Sequence, residues 1–200
     1  AKKLGILVPE VRLYHFSDMS PSLPWFTIER YDRAGSGKDK VKRIHQEDFC
    51  QALGVGPDEK YESEGGPSLS KCAGCIERYS TLPAKDKLRL IQWVVYNYLI
   101  GNADAHAKNV SFLYKRSGIQ LAPFYDLLST VVYPALSKKM AMKIGNENRF
   151  PYIRKRHWKR FATEVGVKPD LVLNIVKLFA ARILPVAQKL RVPDAPQVVH

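Results

Sequence analysis

Cysteine is scarce in this chain: 200 residues contain only Cys50, Cys72 and Cys75. An odd count in a chain this long excludes a disulfide framework and fits reduced thiols of a cytoplasmic protein. Cys72-Ala-Gly-Cys75 has the spacing of half a zinc site or a redox pair, but the sequence offers no second CxxC and no His pair at ligand spacing. The two thiols therefore read as apolar residues near a helix start. No run of about 18 apolar residues occurs, so no membrane span is expected. The first residues, Ala1-Lys2-Lys3-Leu4-Gly5, lack both an initiator Met and a hydrophobic signal core, and read as the start of a piece cut from something longer. Acidic residues are also in short supply, with 19 Asp and Glu against 32 Lys and Arg and a formal charge of +13. Such an excess attracts phosphate groups, whether on a nucleotide, a nucleic acid or an acidic partner. It is densest over Arg154-Lys155-Arg156-His157-Trp158-Lys159-Arg160. That run fits the solvated face of a helix with Trp158 and Phe161 turned inward, and less readily a nucleic-acid contact.

What the chain has is an ordinary apolar content of 46%, enough to bury the core of one domain or of one large lobe. Val11 to Phe16 and Trp25 to Asp32 read as two short strands joined by a Ser/Pro/Met turn, with Phe26 to Tyr31 alternating as a half-buried strand. Residues 33–42 form a polar loop, and a helix is expected from near Gln46, burying Phe49, Cys50 and Leu53. Positions 54–70 are rich in Gly, Pro, Glu and Ser and read as irregular. A strong helix follows, with Thr81 as its cap, Pro83 in its first turn, and Leu88, Ile91, Val94, Val95 and Tyr98 at spacings of three and four. Gly101-Asn102 is its stop signal. Val110 to Tyr114 and Ile119 to Ala122 read as a hairpin turning at Arg116-Ser117-Gly118, and the remainder as mostly helical, over 155–165 and 169–190. The order is α+β: a small β portion, then helices with one embedded hairpin.

The informative stretch is Gly101-Asn-Ala-Asp-Ala-His-Ala-Lys-Asn109, followed by the hairpin and then Pro123-Phe-Tyr-Asp126. The helix stop places Asp104 and Asn109 in an anchored loop, and the hairpin returns Asp126 to its neighbourhood. Two carboxylates and an amide then converge, a hard-oxygen set suited to Mg²⁺ beside phosphate. In protein kinases a catalytic-loop Asp accepts the substrate hydroxyl proton, while an Asn five residues later and an Asp beyond a hairpin hold Mg²⁺. Asp104, Asn109 and Asp126 have that order, and Lys108 can balance phosphate charge. Asp and Asn also sit in loops for purely local hydrogen bonds, and either Asp alone would carry little weight. The conjunction carries the argument. His106 admits two roles, fixing the loop or touching a nucleotide.

The segments Gly101 to Leu113 and Leu121-Ala-Pro-Phe-Tyr-Asp-Leu-Leu128 resemble the signature of the HipA-like serine/threonine toxin kinases. Phe26-Thr-Ile-Glu-Arg-Tyr-Asp-Arg33 is similar to that family's strand between the two lobes, and His45 to Gly54 with Lys60-Tyr-Glu62 to its next helix and loop. The likeness runs from about residue 1 to 190. It implies a kinase-like fold, with residues 1–33 ending the N-lobe and carrying the hinge strand, and 34–200 forming a helical C-lobe. It implies Asp104 as general base and Asn109 and Asp126 as Mg²⁺ ligands. ATP would meet the backbone of Glu29, Arg30 and Tyr31 at its adenine, and His106, Lys108, Asn109, Tyr125 and Asp126 at its phosphates. It also implies a toxin with a DNA-binding antitoxin as partner, which would make any DNA contact indirect or weak, and an aminoacyl-tRNA synthetase as protein substrate. No His-Arg precedes Asp104, and Leu127-Leu128 follows Asp126 where eukaryotic kinases have Phe-Gly.

The family's Gly-rich phosphate loop and strand Lys do not occur in these residues, and Gly65-Gly66-Pro67 does not replace them, because Pro67 lacks an amide donor. The chain is thus expected to be a fragment, missing its N-terminal lobe and inactive alone, with apolar surface left open near Val11 to Ile28. The rival reading is a non-catalytic basic module that binds an antitoxin or nucleic acid.

Overall fold

The computed structural model describes residues 1–15, 24–35, 41–56 and 58–190. Strands β1 (Val11–His15) and β2 (Pro24–Ile28) form an antiparallel ribbon with Val11 opposite Ile28. The expected first strand runs one residue further, to Phe16, which lies outside the described residues. The ribbon is not half-buried as its alternation suggests: residues 25–30 are all exposed, Phe26 at 67%. Among the described residues an open apolar surface is present at Val11, Leu13, Phe26 and Ile28. A second small ribbon pairs β3 (Arg33–Ala34) with β4 (Lys42–Arg43).

Gln46 opens a strand rather than a helix. β5 (Gln46–Asp48) pairs with the later hairpin, and α1 (Phe49–Ala52) starts three residues on. Asp48 is the reason. Its carboxylate accepts from the Gln51 amide while the Gln51 side chain accepts from the Asp48 amide, both at 2.9 Å, a reciprocal cap that starts the helix there. Phe49 and Cys50 are buried, and Leu53 only partly so. Beyond the irregular 54–67, Ser68 caps α2 (Leu69–Tyr79), a helix that contains Cys72 and Cys75. All three thiols are free and buried, and burial pushes Cys75 up to about 11, so it stays protonated at neutral pH.

The long helix α3 (Pro83–Ile100) has Pro83 in its first turn, but Thr81 does not cap it. Thr81 pairs with the hairpin instead: its amide donates to Ile119 O and its hydroxyl accepts from the Ile119 amide, each at 2.8 Å. Of the expected stripe Ile91, Val94 and Val95 are buried, joined by Leu90 and Trp93, while Tyr98 is half-buried and Leu88 is 37% exposed. β6 (Ser111–Lys115) and β7 (Gly118–Leu121) form the expected hairpin, completing a three-stranded sheet in the order β5-β6-β7.

The region beyond 128 is not wholly helical. β8 (Lys139–Ile144) and β9 (Glu147–Arg149) make a second hairpin, turning at Gly145 and Asn146 with φ of 55° and 72°. Then α4 (Lys155–Glu164) and α5 (Pro169–Gln188) follow close to their expected bounds. Trp158 and Phe161 are buried, and Lys155, Arg156, Lys159 and Arg160 lie exposed on the opposite side of α4. No described helix is long and apolar enough to cross a membrane.

One buried ion pair joins α3 to the hairpin. Asp86 is 1% exposed and accepts from the Ser80 hydroxyl at 2.7 Å, the Leu121 amide at 2.9 Å and Arg89 at 3.0 Å. Arg89 in turn donates to Leu121 O and Ala122 O, both at 2.7 Å. Removing one partner of such a pair leaves a buried charge uncompensated, which costs about 3–5 kcal/mol. Asp86→Ala should therefore lower the unfolding free energy by about that amount, read from urea denaturation.

Candidate active site

The site is built on the end of α3. Gly101 stops the helix in the left-handed region, φ 70°. A Cβ there would lie 2.4 Å from Val131 Cγ2, so both conformation and space demand glycine. The Gly101 carbonyl, turned out of the helix, accepts from the amides of Thr130 and Val131 at 3.1 Å each, and the Thr130 hydroxyl bridges to the Ala103 amide at 2.7 Å. The loop after the helix is thus stitched to the chain beyond Asp126.

Asn102, buried, makes the second stitch. Its Nδ2 donates to Asn97 Oδ1 at 2.8 Å and to the Asp126 carbonyl at 3.0 Å, while its Oδ1 accepts from the Asp104 amide at 3.1 Å. Asn109 Nδ2 then donates to Asp126 Oδ2 at 3.0 Å, and its Oδ1 accepts from the His106 amide at 3.0 Å. Asp126 itself is exposed and left-handed, φ 59°. Asn109 and Asp126 meet directly, and Asp104 is tied to the same loop by its backbone amide through Asn102.

His106 is buried, its backbone amide fixing Asn109 and its ring edge-on to Tyr61 at 5.8 Å. Burial holds its pKa below the ordinary 6.5, against the pull of Asp104, whose Oδ1 lies 3.7 Å from Nε2. The loop contact is made by the His106 backbone, while the ring Nδ1 is buried without a hydrogen-bond partner among the described residues. Tyr125 donates its hydroxyl to Lys108 O at 2.7 Å, and its ring stacks on Tyr31 at 6.1 Å. That stack brings the segment around Tyr31 to the loop. Glu29 and Arg30 are exposed, the first held only through its amide to Glu10 O at 2.9 Å. Arg30 instead grips buried Asp32, at 2.9 and 2.7 Å, and together with Arg33 holds that carboxyl down to about 2. Asp104, 44% exposed at its side chain, stands on the wall of a cleft of about 720 Å³ that also takes in Tyr61, Thr130, Tyr133 and Leu136.

A carboxylate open to a cleft can accept a proton, and on the same loop system a second carboxylate, exposed and bonded to an amide, offers hard oxygens. A HipA-like C-terminal domain model matches residues 1–187. The chain belongs to the HipA-like family. The serine/threonine-protein kinase toxin HipA of Shewanella oneidensis is 33% identical over 194 residues, 92% of this chain and 44% of that protein. The Sinorhizobium fredii protein Y4mE, provisionally named a kinase, is 51% identical over 149 residues, 74% of this chain and 36% of its own. This HipA-like chain therefore spans less than half the length of both relatives. A solved Shewanella oneidensis complex of HipA, HipB and operator DNA contains a chain that superposes with TM-score 0.85 at 31% identity, over 97% of this chain and 48% of that one. The Helicobacter pylori proinflammatory kinase CtkA superposes at 0.51 with 13% identity, over 94% and 84%. It adds the fold alone. The fold is α+β and kinase-like.

Sequence reasoning assigned no task to Asn102 or Thr130, though both bind the loop to the Asp126 side. Asn102 has a signal: an Asn directly after a helix-stopping Gly, five residues from Asn97 on the same helix end. A left-handed non-glycine residue costs about 1–2 kcal/mol, and the clash with Val131 adds to it. Gly101→Ala should lower the melting temperature by about 4–8 °C, measured by scanning calorimetry.

Proposed function

We propose that this chain is the catalytic lobe of a HipA-like serine/threonine protein kinase, moving the γ-phosphoryl group of ATP to a Ser or Thr hydroxyl of a protein. The observation that carries the reading is the Asn109–Asp126 contact at 3.0 Å held beside Asp104 through Asn102. Residues 1–33 form the hinge side and 34–200 the lobe that holds the chemistry.

Asp104 is the general base. Its carboxylate accepts the proton of the acceptor hydroxyl as the oxygen–phosphorus bond forms, and ADP leaves with the old bond's electron pair. Asn109 and Asp126 would hold Mg²⁺. The fit is sound in donor chemistry: an exposed carboxylate and an amide oxygen with a second lone pair beyond its bond to His106. Among the described residues no cluster of three or more His, Cys, Asp or Glu could hold a metal alone. Mg²⁺ characteristically takes one or two protein ligands and completes its shell with phosphate oxygens and water. The ion, when bound, neutralises charge on the transferring group. The Tyr31–Tyr125 stack borders the adenine side through the backbone of Glu29 to Tyr31, and His106 and Lys108 lie at the phosphate end.

The resemblance to a toxin crystallised with HipB and operator DNA supports a DNA-binding antitoxin as partner. The same family likeness supports an aminoacyl-tRNA synthetase as the protein acceptor.

Two substitutions in the full-length protein separate the roles. Asp126→Asn should weaken Mg²⁺-ATP binding at least tenfold by calorimetry and abolish transfer, and near-normal phosphorylation would sink the assignment. Asp104→Asn should bind Mg²⁺-ATP with unchanged affinity while transfer falls by about 10²-fold or more. Equal loss of binding and transfer would make Asp104 a metal or structural residue.

A further inference from the structure

The segment from Glu59 to Gly66 has no part in the chemistry above, yet it stands against the base. Tyr61 donates its hydroxyl to Asp104 Oδ1 at 2.6 Å, and the Lys60 ammonium lies 3.7 Å from the same oxygen. Every hydrogen bond and ion pair of the Asp104 side chain among the described residues ends on Oδ1. A carboxylate 44% exposed gets little from packing to fix its rotamer, so these donors set its direction.

The segment is built to hold them there. The amides of Glu64 and Gly66 both donate to Tyr61 O at 2.9 Å. A Cβ on Gly66 would lie 2.6 Å from Glu59 O and 2.7 Å from Tyr61 O, so the backbone closes on itself with room only for glycine. Glu62 accepts from the Lys143 amide at 2.7 Å, tying the segment to β8, and Ala141 on the same strand donates to Ala103 O at 2.9 Å, next to the base. Lys60 also lies 4.8 Å from the centre of the Tyr61 ring. Burial, then the bond to Asp104, raises the Tyr61 pKa, so the phenol stays a donor at neutral pH. Burial works against the Lys60 charge, but Tyr61 and Asp104 outweigh it and its pKa is raised.

We infer that Lys60 and Tyr61 are positioning residues for the base, holding Oδ1 of Asp104 so that Oδ2 takes the acceptor proton. The inference rests on the reading of Asp104 as base. Tyr61 makes the short, direct bond and has the larger effect. Lys60, further away and partly solvated, has the smaller.

The test uses the full-length protein, Mg²⁺-ATP and casein as phosphoryl acceptor, with melting curves to confirm folding. Tyr61→Phe should lower kcat by about 10- to 100-fold, the worth of a hydrogen bond to a charged group, and leave KM for ATP within about twofold. Lys60→Met should cost about three- to tenfold in kcat, and Lys60→Arg should restore most of it because charge and donor return. On the residual rate of Asp104→Asn, adding Tyr61→Phe should cost little more, since the two act as one unit. Wild-type kcat in Tyr61→Phe, a raised KM for ATP with kcat unchanged, or an undiminished effect in the Asp104→Asn background would each overturn the inference. Should Tyr61→Phe fail to fold, the split between Lys60→Met and Lys60→Arg decides, and equal rates in those two variants overturn it. If Asp104→Asn alone transfers phosphate at the wild-type rate, the base assignment fails first, an outcome distinct from the rest.

Discussion

The amide of Asn102 is the constraint on which the site depends. It is buried, so an unmet donor or acceptor there would carry the full desolvation cost, and its bonds have well-defined partners. Those partners are the last turn of α3, the backbone of Asp126 and the backbone of Asp104. One side chain therefore measures the separation of the two acids that the proposed chemistry needs.

The same helix is anchored at its other end, where Asp86 accepts from the Leu121 amide and Arg89 donates to the Leu121 and Ala122 carbonyls as β7 runs out toward Phe124. An 18-residue helix is about 27 Å long, so the two anchors lie well apart on one rigid rod. The hairpin between them cannot slide, because its register with α3 is written into a buried charge pair at one end and an amide at the other. This is why a loop of short polar residues can have a defined shape.

Much of this was legible in the sequence wherever two signals coincided. The end of α3 combined an apolar helical period with Gly101, and α4 and α5 were separated by Gly166 and Pro169, so their bounds were readable. The meeting of Asn109 and Asp126 was readable because a hairpin of ordinary length must bring its ends together. The second hairpin was not found, since Met140, Ala141, Met142 and Ile144 are all buried and show no clean alternation. Its usable signal is Gly145-Asn146, a pair that tolerates two successive left-handed residues. Helix α2 hid behind the reading of positions 54–70 as irregular, although Ser68 and the spacing of Leu69, Cys72, Ala73 and Ile76 mark it. The grip of Tyr61 on Asp104 spans 43 positions and leaves no local trace at all. The exposure of Phe26 is likewise a tertiary fact: alternation reports which residues could be buried, not what covers them.

The left-handed backbone of Asp126 bears on how any scan of this site is interpreted. Asp and Asn visit that region more readily than other side chains, because a short polar group can bond to its own backbone. An Asn at 126 keeps the loop and changes only charge, whereas an Ala there adds conformational strain of about 1–2 kcal/mol to the loss of the carboxylate. An alanine survey would thus overstate the electrostatic weight of this residue relative to Asp104, which sits in no such conformation. The isosteric amide is the fair comparison between the two acids, and the backbone angle is what makes it so.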